Sequence, residues 1–214
     1  MKKTTITFIL NIMIILFTVI GTVIMLTKPG DGTGLMASGA ENLKYFTVLS
    51  NELCGIVAVM RLFALLKGRQ QDFILLKFVA AAAVGLTFLI IVAFLQPMYP
   101  EINMFQRANL WFHLIVPLTA MLEFVLLDAE KLTFRSTFAA AIPSLVYGFG
   151  YLINILVNGV GSWPNTNDWY GFVNWGLPVG IGIFAAVVIM NWGIACILRF
   201  LNRKIHATAG QDSE

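Results

Sequence analysis

The sequence predicts an all-α, polytopic membrane protein with six transmembrane helices, and three observations lead there. Of 214 residues, 58% are hydrophobic and only 12% charged, where a soluble domain is nearer half apolar and a quarter charged. The mean hydropathy of +0.82 comes from long unbroken apolar runs, each able to span a bilayer. The cations fall unequally on the two sides of those runs.

The first run, about residues 5–27, follows two lysines and could be taken for a signal peptide. It exceeds the roughly 7–15 apolar residues of a signal core, and Ala37-Ser38-Gly39 lies well beyond its end, so a retained helix is expected. Five more runs cover about 43–66, 72–96, 107–128, 137–159 and 174–200. Their connectors are a Gly-rich loop, the polar turn KGRQQD, the two-proline QPMYPEINMFQ, the charged DAEKLTFRS and the aromatic GVGSWPNTNDWY. Residues 1–201 make one six-helix domain, and 202–214 read as a polar cytoplasmic tail with a disordered end.

Lys2, Lys3, Arg61, Lys67, Arg69, Lys77, Lys131, Arg135, Arg199, Arg203 and Lys204 share one side. Only Lys28, Lys44 and Arg107 take the other, which puts both termini in the cytoplasm of a cell-membrane protein. Trp111, Trp163, Trp169, Tyr170 and Trp175 collect on the outer side, as an interfacial aromatic belt does. The net charge of +3 does not signal nucleic acid, because the Lys and Arg residues form no patch. Cys54 and Cys196 lie in apolar runs and are expected to be inert.

Against this background the stretch KYFTVLSNEL stands out, with Thr47, Ser50, Asn51 and Glu52 opening the second helix. Entering from outside, that helix places Thr47 ~4.5 Å below Lys44, and the parallel fourth helix places His113 ~9 Å past Arg107. Hydroxyl and imidazole therefore lie at similar depth. Ser50 and Asn51 share the face of Thr47 and form either a polar stripe toward an interior site or a helix–helix seam. Asn109 sits one turn before His113, within reach to orient the ring. Pro117, one turn after it, is expected to free the His113 carbonyl. An ionisable residue at this depth is rare and suggests function, the alternative being a neutral histidine bonded to a neighbouring helix. Glu52 is rotated away from Thr47. Glu123, ~15 Å deeper than His113, cannot touch it. Tyr147, Tyr151 and Asn154 share a face of the fifth helix, as a pocket wall or as packing. His113 and His206 are far apart, and no phosphate-binding loop, G-x-S-x-G or dinucleotide fingerprint occurs, so neither metal nor cofactor is expected.

Lys44-Tyr45-Phe46-Thr47 with Ser50-Asn51, and Asn109, His113, a following proline and Glu123, together resemble the androgen-induced and androgen-dependent TFPI-regulating family of integral-membrane threonine hydrolases, in a bacterial type. The six-helix profile agrees along nearly the whole chain, as does the segment from Tyr147 through Trp163 to Phe172. The resemblance implies that Thr47 is the nucleophile and His113 its partner. It also implies a lipid-ester substrate, specifically fatty acid esters of hydroxy fatty acids. In such chemistry His113 would take the Thr47 proton. Ser50 or Asn51 could donate to the oxyanion, an interaction worth ~3 kcal/mol. Tyr147, Tyr151, Asn154 and Glu123 would line the pocket, and the expected partners are the bilayer and that ester. Two other readings stay open. One is a small transporter or channel whose path uses Asn11, Glu52, Glu123 and Asn191; the other is a structural protein whose polar residues join helices. The oligomeric state is left open.

Overall fold

The computed structural model describes residues 3–28, 39–127, 129, 132–162 and 165–211. Trp163, Lys2, Lys131 and most of the Gly-rich connector after the first helix, Ala37-Ser38 included, lie outside them. Every regular element among the described residues is a helix. In chain order these are α1 (Lys3–Thr27), α2 (Phe46–Leu66), α3 (Ile74–Met98), α4 (Ala108–Leu126), α5 (Ser136–Ala140), α6 (Ile142–Asn158) and α7 (Leu177–Gln211). A short 3-10 turn, Gly39–Lys44, leads into α2. Five of these helices are long and apolar enough to cross a membrane: α1, α2, α3, α4 and α7. This is a helical membrane protein.

The expected fifth run, 137–159, is two helices. The chain turns at Ala141, and Pro143 opens the next helix, because proline has no N–H to continue the ladder and clashes with the preceding turn. The break is satisfied from α7: Asn191 Nδ2 donates to the Ala140 carbonyl (3.1 Å) and to Ser144 Oγ (2.9 Å). α6 then has 17 residues, about 25 Å of helix at 1.5 Å per residue.

Two prolines act differently inside α3 and α4. Each is preceded by a π turn, Ile91–Leu95 before Gln96-Pro97 and Trp111–Ile115 before Val116-Pro117. Gln96 N–H reaches back five residues to the Ile91 carbonyl, and Val116 N–H to that of Trp111. The wider ring makes room for the pyrrolidine one residue later, so both helices continue.

α3 is the central helix. Ala80, Ala81, Ala82, Ala83, Val84 and Leu86 are all buried, and α1, α2, α4 and α7 surround this layer through Ile14, Cys54, Ala58, Val116, Ala120 and Ala195. Small side chains let backbones approach where lipid offers no hydrophobic drive between helices. Gly148 does the same for α6 and α7, since a Cβ there would overlap the Phe184 ring. Two residues on, a Cβ at Gly150 would meet open space. Gly148→Ala should therefore destabilise the protein by about 1–3 kcal/mol, whereas Gly150→Ala should gain up to about 1 kcal/mol from helix propensity. Thermal unfolding of the two variants in detergent checks the contrast.

Charge placement departs from the expectation at two cations. Arg61 is buried, not lining the inner surface: its guanidinium donates to the Asp72 carbonyl (2.8 Å) and approaches that of Arg69 (3.4 Å), closing the α2–α3 turn. Lys77 is buried too. Its Nζ lies 3.1 Å from Glu123 Oε2 and donates to Asn11 Oδ1 (3.0 Å), while Asn11 Nδ2 donates to Glu123 Oε1 (2.9 Å). The triad joins α1, α3 and α4 with all three side chains at most 1% exposed. The tail also differs: α7 runs on to Gln211, and buried Asn202 sets Nδ2 within 2.6–3.2 Å of the Phe124, Val125 and Leu127 carbonyls at the end of α4. Those carbonyls are orphaned where a helix stops, so residue 202 belongs to the bundle.

Candidate functional site

The first turn of α2 is built by residues from far along the chain. Tyr45 occupies the N-cap and gives no side-chain cap. The orphan Phe46 N–H donates to the Tyr170 hydroxyl instead (2.8 Å), and the Tyr147 hydroxyl donates to the Lys44 carbonyl (2.6 Å). Trp169 Nε1 donates to Tyr147 in turn (3.0 Å). With its hydrogen given to Lys44, Tyr147 has none for Tyr170, 3.4 Å away. The Tyr170 hydroxyl therefore donates at most a long hydrogen bond, to Tyr147.

Thr47 follows. Thr27 and Thr119 donate their hydroxyls to the carbonyl one turn back at 2.7 Å, the usual habit of a helical threonine. For Thr47 the residue four back, Leu43, lies in the 3-10 turn before the helix. Among the described residues the Thr47 hydroxyl makes no hydrogen bond, and Thr47 lines a cavity of about 530 Å³.

That cavity lies among α2, α3, α6 and α7, under the 170–175 loop. Its apolar wall comes mainly from the π turn of α3 (Ile91, Phe94, Leu95) and from Phe184, Val187 and Met190 of α7. Of the four pocket-lining candidates, Tyr147 and Tyr151 line this cavity, and Asn154 and Glu123 do not. Asn154 lies higher, donating to Asn167 Oδ1 (3.3 Å) and accepting from Asn158 (2.8 Å). Glu123 is closed into the Lys77 triad.

His113 is buried on the π turn of α4 and does not line the cavity. Its Nδ1 lies 2.7 Å from the Met104 carbonyl. A carbonyl only accepts, so Nδ1 carries the proton, and the neutral ring keeps its basic lone pair on Nε2. Gln96 positions the Met104 segment: its Oε1 accepts from Met104 N–H (2.9 Å) and its Nε2 donates to the Ile102 carbonyl (3.0 Å). The expected orienting group, Asn109, plays no part in this. Residues four apart share a face in an α-helix, but a π turn pairs residues five apart.

The same register shift moves the freed carbonyl. In an α-helix Pro117 would leave His113 without a donor; after a π turn it leaves Phe112. Asn51 Nδ2 fills that place, donating to the Phe112 carbonyl (2.9 Å) and to that of Thr47 (2.7 Å). The turn bearing Thr47 and the turn bearing His113 are thus tied to one nitrogen. Both Asn51 hydrogens are committed, so Asn51 is no oxyanion donor. Ser50 donates to the Thr47 carbonyl (3.0 Å) and lies 3.3 Å from the Thr87 hydroxyl, which is a seam contact between α2 and α3. No hydrogen bond joins Thr47 to His113 among the described residues.

The loop before α7 shapes the cavity mouth. Asp168, 5% exposed, accepts from the Tyr151 hydroxyl and from Phe172 N–H (2.9 Å) and Val173 N–H (3.0 Å). Gly171, at φ +67°, makes the turn these bonds need. Burial, and then the neighbouring Tyr147, push the Tyr170 phenol well above its ordinary pKa, so it stays an O–H donor. Tyr170 and Asp168 escape a sequence reading, because a tyrosine in an aromatic outer loop carries the signature of a belt residue. Trp169 and Tyr170 pack against Tyr147 and Tyr151 instead, and Trp111 packs on Phe17. Trp175 is exposed.

No protein-family model matches this chain, and neither does any curated protein or solved structure.

Proposed function

We propose that this chain is an integral-membrane hydrolase of lipid esters, with Thr47 as nucleophile and His113 as base, in keeping with its resemblance to the androgen-induced and androgen-dependent TFPI-regulating family. The observation that carries this is the unbonded Thr47 hydroxyl on the wall of an apolar cavity. Thr47 Oγ attacks the ester carbonyl while its proton passes to His113 Nε2. The oxyanion accepts a hydrogen bond from the Tyr170 hydroxyl, since Tyr170 lines the cavity and sits on the Phe46 N–H beside Thr47. Collapse expels the alkoxide, which takes the proton from His113, and water, deprotonated by the same nitrogen, frees the acyl group from Thr47. Before substrate binds, catalytic hydrogen bonds are often long and tighten only in the complex; Asn51 keeps the two turns adjacent.

The membrane topology in this reading has six crossings, with α5 and α6 together as the fifth and both termini cytoplasmic in the cell membrane. With Arg61 and Lys77 set aside as buried, Lys67, Arg69, Arg135, Arg199, Arg203 and Lys204 still outnumber Lys28, Lys44 and Arg107. A polar transport path has less support. Asn11 and Glu123 are closed into the triad, Glu52 accepts from Thr22, and Asn191 closes the α5–α6 break, each at a different helix contact.

A fluorophosphonate probe tests the reading directly. Its adduct should map to Thr47 by mass spectrometry, and absence of labelling while a control hydrolase reacts would sink it. Tyr170→Phe should lower kcat on a chromogenic ester by roughly 10²-fold with KM little changed. A change in KM alone would assign Tyr170 to binding.

A further inference from the structure

The cavity has a mainly apolar wall with several polar side chains among it, yet none of the described residues lining it is Asp, Glu, Lys, Arg or His. Asp168 and Lys44, which contact the lining tyrosines, are engaged elsewhere. Asp168 holds Tyr151 and two backbone N–H groups. Lys44 Nζ sits over the rings of Tyr45 (5.5 Å) and Trp169 (5.8 Å). Most neutral polar groups of the lining are also satisfied: Thr87 by Ser50, Ser144 by the Ala141 carbonyl and Asn191, Tyr147 by Lys44, and Tyr151 by Asp168. What remains open to a ligand among the described residues is the Thr47 and Tyr99 hydroxyls, the Tyr170 hydrogen, the Asn174 side chain and the Trp175 indole N–H, all of them neutral.

We propose that this cavity takes an uncharged, single-chain acyl ester and rejects amphiphiles that would bring a carboxylate, phosphate or ammonium into it, a substrate distinct from the two-chain, carboxylate-bearing fatty acid esters of hydroxy fatty acids that the family resemblance implies. The inference rests on the hydrolase reading for the ester bond, and on the lining for the neutrality. Size favours one chain: about 530 Å³ at ~30 Å³ per water-sized group admits roughly 18 heavy atoms. Neutral groups such as these suit an ester carbonyl and an adjoining hydroxyl. An ion in the same place would leave water for a site with no counter-charge, which is strongly unfavourable.

The reaction then carries its own means of release. Water and a neutral ester give an alcohol, a carboxylate and a proton, the ester C–O bond being the one cleaved. The carboxylate is the kind of group the cavity rejects, so product leaves for the water at the outer face.

The test uses a ligand that cannot be hydrolysed, so that it reads binding whether or not Thr47 reacts. Full-length protein in nanodiscs is photolabelled with a diazirine-bearing dodecyl glycerol ether. Labelling is competed with plain dodecyl glycerol ether, with dodecyl phosphate and with dodecyltrimethylammonium. Crosslinks should fall on residues 90–95 and 184–190, and the neutral ether should compete at concentrations at least about tenfold lower than either ion. Equal or better competition by an ion overturns the proposal, as do crosslinks confined to other segments or labelling that does not saturate. Failure of the fluorophosphonate to mark Thr47 is a separate result. It removes the hydrolase reading and leaves this binding measurement intact.

Discussion

Lys77→Met is expected to destabilise the folded bundle by about 3–5 kcal/mol, because it leaves the Glu123 carboxylate fully buried without its cation. Glu123→Leu should cost a similar amount by stranding Lys77. Neither side chain can turn to water: both are at most 1% exposed, and their helices pack against α1 on one side and α7 on the other. Replacing Asn11, Lys77 and Glu123 together by Leu, Met and Leu should recover most of the loss, since an ion pair exchanged whole for apolar volume is often neutral. Denaturant titration in mixed micelles, followed by tryptophan fluorescence, measures all of these. Single variants within about 1 kcal/mol of the parent, the range of an exposed pair, would mean that water reaches the triad. A stable triple variant that loses ester hydrolysis would show that the triad acts in the reaction.

Thr47→Ala should abolish both covalent labelling and ester hydrolysis without altering the unfolding midpoint, because the lost hydroxyl bonds to nothing among the described residues. Thr47→Ser should keep a measurable fraction of the rate. His113→Gln should lower kcat by roughly 10²–10⁴-fold, the usual contribution of a positioned acid–base group. It should also loosen the Met104 segment, as His113 is the side chain bonded to that carbonyl. Asn51→Leu separates position from chemistry. It leaves the Phe112 carbonyl without a donor and unties the two turns, so it should lower both stability and kcat. If Thr47→Ala retained hydrolysis, the nucleophile would lie elsewhere; if His113→Gln retained it, another group would be the base.

Much of the bundle was legible because apolar runs of membrane length leave little freedom in where helices lie. Thr47 stood out for a sound reason, a costly polar group at the start of a membrane helix, and it does line the cavity. What the sequence hid follows from local geometry. Arg61 and Lys77 look like inner-surface cations because a charge near a helix end carries no mark of whether it reaches lipid headgroups or folds back on carbonyls or a carboxylate. The roles of Asn51 and Asn109 depended on an α register through residues 109–117. Nothing in WFHLIVP distinguishes a π turn from an α turn before proline, and the extra residue changed which carbonyl was freed and which side chain met the histidine. The part played by Tyr170 needs the fold of a loop whose composition is that of an interface.

The two π turns carry a consequence for descent. Each holds one more residue than the α turn it replaces, so α3 and α4 both contain, in effect, a single-residue insertion ahead of a proline. A relative that had lost either turn would align with this chain only through a one-residue gap inside a membrane helix, next to the proline or to its replacement. If the gap fell in α4, the partner of Asn51 would vanish with it, and position 51 would be released to change.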